Sequence, residues 1–215
     1  MISNDSRDRI KGVFEPIALG LGRLGLTPDA LTLIGFGTTI MAALLLAMQQ
    51  WLLGGIVVLV GGIFDMFDGT LARATGRVSR LGAFMDSVFD RWGEALVYLG
   101  IVAGGVLGAH ERIPILAAAS MGAAFMVSYV RAKSESLGFT QGTGMAAVGL
   151  MPREVRLVIL AVGLILTIAP DIKFLEFALA IIAIGSTITT IQRILHVRQQ
   201  AMTPAAGRST EQEHP

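Results

Sequence analysis

LLGGIVVLVGGIFDMFDGTLARATGRVSRLGAFMDSVFD, residues Leu52 to Asp90, carries two opposed signals in one run. From Leu52 to Phe67 it is apolar enough for a membrane span, broken only by Asp65. From Asp65 onward it places four aspartates, Asp65, Asp68, Asp86 and Asp90, within 26 residues. The pattern is D-x2-D-G-x2-A-R-x8-G-x3-D-x3-D. Carboxylates next to apolar spans are costly in a bilayer and mark functional sites by default. On helices, Asp65 and Asp68 stand at i, i+3, and Asp86 and Asp90 at i, i+4, so each pair projects from one face. Gly69 and Ala72 extend the first face, and Gly82 precedes the second pair by one turn. Small residues there let two helices approach closely and leave room for a ligand.

The rest of the chain reads as membrane. Of 215 residues, 53% are hydrophobic and 15% charged, against about 25% charged in a soluble domain. The mean hydropathy is +0.67. A span needs about 20 mostly apolar residues, and six candidates follow: Leu31 to Met48, Leu52 to Phe67, Leu81 to Leu107, Ile113 to Val130, Val155 to Ala169 and Phe174 to Leu195. Gln49-Gln50-Trp51 and Pro170-Asp171-Ile172 read as hairpin turns. The fold class is therefore all-α integral membrane, with six transmembrane helices. A net charge of +1 gives no electrostatic case for nucleic acid. With no cysteine, disulfides and thiolate metal sites are excluded.

Charge orients the spans. With six of them both termini share one side. That side carries 15 of the 17 Lys and Arg residues; only Arg112 and Lys173 fall on the other. The positive-inside rule puts both termini and the aspartate motif at the cytoplasmic face of the cell membrane. Residues 1–24 read as a cytoplasmic N-terminal segment. Between Asp8 and Gly22, Ile10, Val13, Phe14, Ile17, Leu19 and Leu21 alternate with basic residues, as in an amphipathic interfacial helix interrupted near Pro16. This segment does not have the form of a cleaved signal peptide. Residues 25–198 form the six-helix domain, and 199–215 a polar disordered tail.

Four like charges cannot stay ionised in a membrane-embedded cavity unless cations compensate them. Oxygen-only ligands select Mg²⁺, or Mn²⁺, rather than zinc. Two such ions are the usual arrangement for displacement at phosphorus. The bland alternative, solvated loop acids, suits one pair better than four acids at fixed spacing from Gly69, Ala72, Arg73 and Gly82.

At every defined position the segment Asp65–Asp90 resembles the signature of the CDP-alcohol phosphotransferase family. The resemblance implies a six-helix membrane enzyme, usually a homodimer, that displaces CMP from a CDP-linked lipid with an alcohol. It implies that Asp65, Asp68 and Asp86 bind two metal ions, and that Asp90 is both a metal ligand and the base for the acceptor hydroxyl. A carboxylate beside the nucleophile can take its proton within hydrogen-bond reach. At the nucleotide end, Gly69 would let backbone lie close to the CDP-lipid, Arg73 would pair with its diphosphate, and Ser79 would hydrogen-bond it. The segment GLTPDALT, Gly25 to Thr32, resembles the family's lead-in to span one, where Asp29, Ala30, Leu31 and Thr32 would border the nucleotide. Read alone, Thr27-Pro28-Asp29 is a helix N-terminus with Pro at N1.

The acceptor follows from basic residues elsewhere. Arg131 and Lys133 end span four, Arg153 and Arg156 open span five, and Arg193 closes span six. Three helices thus bring cations to one membrane level, which suits an acceptor bearing its own phosphate. The alternative role is that of positive-inside anchors, and it fits Lys133 and Arg198 at least as well. SYVRAKSESLGF, PREVRL and IQRILH resemble the branch that makes phosphatidylinositol phosphate from CDP-diacylglycerol and inositol phosphate. In that branch residues matching Arg131, Arg156 and Arg193, and one near Arg153, contact the acceptor phosphate. Two departures bear on pocket shape: the commoner lysine is here Arg131, and an arginine-proline-glutamate-arginine run is here Pro152-Arg153-Glu154-Val155-Arg156.

The expectation is a membrane phosphatidyltransferase acting on CDP-diacylglycerol and inositol phosphate. Glycerol 3-phosphate is the rival acceptor, and an archaeal-type CDP-lipid the rival donor. A cation transporter would use the same acids but leave Gly69, Ala72 and Arg73 unexplained.

Overall fold

The computed structural model describes residues 15–139, 148–168 and 172–202. Residues 15–23 are helical (α1), and the earlier part of the expected interfacial helix lies outside the described residues. Six helices follow: α2 (Pro28–Ala47), α3 (Trp51–Ala74), α4 (Arg80–Leu107), α5 (Ile113–Ser136), α6 (Arg153–Ile165, prolonged by a 3-10 turn Leu166–Ile168) and α7 (Lys173–Met202). The described residues hold no strand. α7 runs four residues past the expected boundary at 198, and 203–215, the rest of the expected tail, are outside the described residues.

The helix ends follow from local chemistry. Thr27 caps α2 by accepting from the Ala30 amide at 3.2 Å, ahead of Pro28. Ser79 caps α4 by accepting from the Gly82 amide at 2.9 Å. α3 stops where Gly76 turns left-handed (φ 65°), while Arg77 N–H donates to the Ala72 carbonyl at 2.9 Å. The aspartate pairs therefore sit on two antiparallel helices joined by a turn of five residues, Thr75 to Ser79.

The six long helices pack as a closed ring in the order α2, α3, α6, α7, α5, α4. Near the end remote from the aspartates α4 lies directly against α2. A Cβ on Gly100 would strike the Ala43 carbonyl, and one on Gly104 the Leu46 carbonyl, so only glycine permits that approach. One apolar core, including Leu46, Tyr98, Ile101, Ile113, Leu164, Leu175 and Ile182, fills this part of the ring. A second cluster joins α1 to the aspartate end, with Ala18 buried against Leu31, Phe67 and Leu71.

The outer surface is more apolar than that of a soluble bundle. Arg156, Arg193, Asp68, Ser120 and Thr189 are buried, while Leu33, Leu44, Leu99, Ile115, Phe177 and Ile184 face outward. An apolar exterior, with charged and polar side chains turned inward beside the apolar core, is what a bilayer solvent selects. Four helices, α2, α3, α5 and α7, are long and apolar enough to cross a membrane. α4 has the length, but its first 15 residues carry Asp86, Asp90, Arg91 and Glu94; α6 has 13 residues.

Candidate active site

Asp65, Asp86 and Asp90 line one inner cavity between α2, α3, α4 and α6. The last turns of α3 carry Asp65 and the first turns of α4 carry Asp86 and Asp90; α2, packed against both helices, holds the two pairs across one cavity. Gly35 of α2 makes room for the first of them: a Cβ there would lie 2.9 Å from Asp65 Oδ1. Asp68 does not line the cavity. It is 5% exposed and accepts from the Thr32 hydroxyl at 2.7 Å. Asp65 and Asp86 are within electrostatic reach of each other and of both Asp68 and Asp90.

Among the described residues no three acidic or histidine side chains are drawn together tightly enough to ligate one ion. Arg153, on the first turn of α6, stands between the carboxylates instead. Its Nη2 donates to Asp65 Oδ2 and its Nη1 reaches Asp90 Oδ1, each at 2.7 Å. One guanidinium thus compensates an acid from each pair. The donor set, four hard carboxylates and no nitrogen or sulfur ligand, fits Mg²⁺ or Mn²⁺. The inner cavity encloses about 60 Å³, room for a few bodies of water or ion size at ~10–15 Å³ each.

Behind Asp90 and Arg153 lies a second, larger cavity between α4, α5, α6 and α7, of about 530 Å³. That is within the ~300–1,000 Å³ of small-molecule sites. Arg91, Arg131, Arg153, Arg156 and Arg193 all line it, and Asp90, Arg153 and Arg156 line both cavities. Arg131 is exposed and paired with Glu135 at 2.9 Å. Arg156 is 2% exposed and Arg193 3% exposed. Arg156 holds Glu94 through contacts of 2.7 to 3.0 Å, and its Nη1 donates to the Met151 carbonyl. Arg193 donates to the carbonyls of Val148 and Val127, at 3.0 and 2.6 Å. Both are anchored inside the protein and present their charge from behind the wall. Lys133 is exposed and lines neither cavity.

The expected nucleotide residues divide. Thr32 lines the inner cavity. Leu31 is fully buried in the α1 cluster, and Asp29 is exposed on the first turn of α2. Gly69 lies under its own helix's Arg73, whose Nη1 would sit 3.3 Å from a Cβ there. Arg73 and Ser79 are exposed, the latter engaged as the cap of α4.

Two residues were not singled out from sequence, Glu94 and Arg91. Arg91 bonds the Ser128 hydroxyl and lies 3.6 Å from Asp90 and 3.4 Å from Glu94. The available signal was register, since Asp86, Asp90 and Glu94 follow one another every four residues on one face of α4.

The chain belongs to the CDP-alcohol phosphatidyltransferase family, whose model matches residues 25–204. It is accordingly a membrane transferase of phosphatidyl groups, as the motif's resemblance implied. At the next level of detail, it is 36% identical over 194 residues to archaetidylinositol phosphate synthase of Pyrococcus horikoshii, covering 90% of this chain and 95% of that one. It is 34% identical over 221 residues to phosphatidylinositol phosphate synthase of Streptomyces avermitilis, covering 98% and 88%. The crystal structure of Mycobacterium tuberculosis phosphatidylinositol phosphate synthase with CDP-diacylglycerol bound matches with a TM-score of 0.77 at 30% identity, covering 93% of this chain and 99% of that chain. Another crystal structure of that enzyme is a complex with manganese and citrate.

Proposed function

We propose that the chain transfers the phosphatidyl group of CDP-diacylglycerol to inositol phosphate, giving phosphatidylinositol phosphate and CMP. The observation that carries this reading is the shared wall. Asp90 and Arg153 separate a small acid-lined cavity from a larger arginine-lined one. A donor diphosphate and a phosphorylated acceptor can thus meet at one carboxylate. Relatives named for archaeal and for bacterial lipids both carry the inositol phosphate half of the name. The acceptor is therefore their common element, and the lipid tail the variable one.

Asp65, Asp68, Asp86 and Asp90 would hold two divalent ions, Mg²⁺ or Mn²⁺. Bound there, such ions neutralise the diphosphate and the departing CMP. Asp90 takes the proton of an inositol hydroxyl, and the freed oxygen attacks the lipid-bearing β-phosphorus as the bond to CMP breaks. Thr32 holds Asp68 in place. Asp29, Ala30, Leu31, Gly69, Arg73 and Ser79 form the nucleotide end. Arg131 and Arg153 face the acceptor phosphate directly. Arg156 and Arg193 add positive potential from buried positions, where a charge acts with less screening than at the surface. Lys133 and Arg198 fit the role of anchors at the membrane surface.

Six spans with both termini and the site cytoplasmic accord with the distribution of Lys and Arg. In that arrangement α4, with charged residues in its first turns, and the short α6 complete the ring, α1 lies in the interface, and the enzyme works as a homodimer in the cell membrane.

The test is CMP release from CDP-diacylglycerol by the purified protein with Mg²⁺ and one acceptor at a time. Turnover with L-myo-inositol 1-phosphate is expected. Turnover with glycerol 3-phosphate alone would refute the acceptor. Preference for a CDP-linked archaeal ether lipid would keep the acceptor and change the donor.

A further inference from the structure

The start of α6 carries Arg153, yet it has no side-chain cap of its own; its N-cap is Pro152. What fixes it is the strap Val148–Met151 immediately before it. Thr189 of α7, fully buried, accepts from two successive strap amides: Leu150 N–H at 3.1 Å and Met151 N–H at 3.0 Å. Its own hydroxyl proton goes to the Gly185 carbonyl at 2.8 Å. Every polar capacity of that side chain is thereby engaged. Gly149 completes the lock. Its φ of 113° is a conformation L side chains rarely adopt, and a Cβ there would collide with Thr189. Arg193 holds Val148 and Arg156 holds Met151, so three side chains stitch four residues of backbone.

We propose that Thr189 is a positioning residue for the acceptor half of the reaction. Through the strap it sets where α6 begins, and so where Arg153 stands between Asp90 and the outer cavity. Its assignment to the acceptor rests on the inositol phosphate reading of that cavity. The inner cavity shares Arg153 and Arg156 with the outer one but draws its α2 and α3 walls from elements the strap does not touch. Pro152, Glu154 and Arg193, next to the strap or bonded to it, line the outer cavity alone. Loosening the strap therefore bears on the acceptor more than on the CDP-lipid.

Thr189→Val keeps the shape and removes the hydroxyl; Thr189→Ser keeps the hydroxyl. The measurement is KM for inositol 1-phosphate and for CDP-diacylglycerol, each with the other substrate saturating. Thr189→Val is expected to raise the acceptor KM about tenfold or more and the CDP-lipid KM by less than about twofold, with Thr189→Ser returning both to near wild type. Equal shifts in the two KM values, no shift, or a serine variant no better than valine would overturn the proposal. Should Thr189→Val fail to fold, Gly149→Ala presses a methyl onto Cγ2 of Thr189, displaces the strap from that side chain and is expected to give the same split.

A second readout needs no turnover. The chain has no cysteine, so Leu150→Cys accepts a single nitroxide label on the strap. Its spectrum should be more mobile with Thr189→Val than with Thr189→Ser; identical spectra count against the lock. Failure of the wild-type protein to use inositol phosphate would instead overturn the functional reading and leave the label experiment standing.

Discussion

Glu94 and Arg156 form a buried two-pronged ion pair: Arg156 Nε and Nη2 donate to Glu94 Oε1 at 2.9 and 2.7 Å, and Nη2 also reaches Oε2 at 3.0 Å. The pair ties α4 to α6 directly below the carboxylates. Breaking a buried pair by removing one partner costs about 3–5 kcal/mol, because the other charge is left uncompensated. Glu94→Gln or Arg156→Met alone should lower the unfolding temperature in detergent markedly. The double variant Glu94→Gln with Arg156→Met should recover most of the loss. A double variant as unstable as the worse single one would show that the two side chains do not act as a pair.

Asp90 carries the proton transfer in the proposed reaction. Asp90→Asn keeps the size and removes the basic oxygen. General-base contributions run to ~10²–10⁴-fold, so CMP release should fall by about that much while radiolabelled CDP-lipid still binds. Near-normal turnover would overturn the base assignment.

Arg153 compensates Asp65 and Asp90 without any ion. A chelator should therefore abolish CMP release but leave the unfolding temperature nearly unchanged, and Mg²⁺ or Mn²⁺ should restore turnover. With Arg153→Gln the carboxylates lose their internal cation. That variant should unfold at lower temperature in chelator and gain stability when Mn²⁺ is added. Equal melting of wild type and variant in chelator would show that the bridge does not stabilise the site.

Arg193→Ala leaves the Val148 carbonyl without its side-chain donor and takes the second donor from the Val127 carbonyl, which its own helix already engages; a buried group left unmade costs about 1–3 kcal/mol. It should also raise the KM for the phosphorylated acceptor more than the KM for CDP-lipid. Equal effects on both would reduce Arg193 to an anchor.

Gly104→Val should prevent α2 and α4 from closing, since its Cβ would meet the Leu46 carbonyl and lie 2.7 Å from the Trp51 ring. Overpacking of this kind costs about 1–3 kcal/mol or more. Gly122→Val, at a position with open space around it, is the control and should be tolerated. Similar losses in both would point to helix propensity rather than contact.

Sequence reading reached what is local. Apolar runs placed the helix starts within three residues, helped at α2 by Thr27-Pro28. At their other ends α3, α5 and α7 run six or seven residues past the apolar spans, where polar residues continue the helix beyond the expected membrane boundary. The aspartates were legible because their spacing is local: i, i+3 and i, i+4 put each pair on one helix face. It is α2, packed against both α3 and α4, that brings the two faces to one cavity. Partners distant in the chain were not legible. Arg153 reads as a phosphate cation until the fold brings it to Asp65, 88 residues away. Arg156 and Arg193 have the right charge and level, but sequence does not reveal that Glu94 and two backbone carbonyls engage them. Thr189 in an apolar helix reads as helix packing. Its role depends on a strap 38 to 39 residues earlier.

The two cavities share a wall but have different linings, so neither substrate has to depart before the other arrives. Initial velocities should consequently follow a sequential rate law. Double-reciprocal lines at several acceptor concentrations should intersect rather than run parallel. With no covalent lipid-enzyme species on the path, a chiral β-phosphorus should emerge with its configuration inverted.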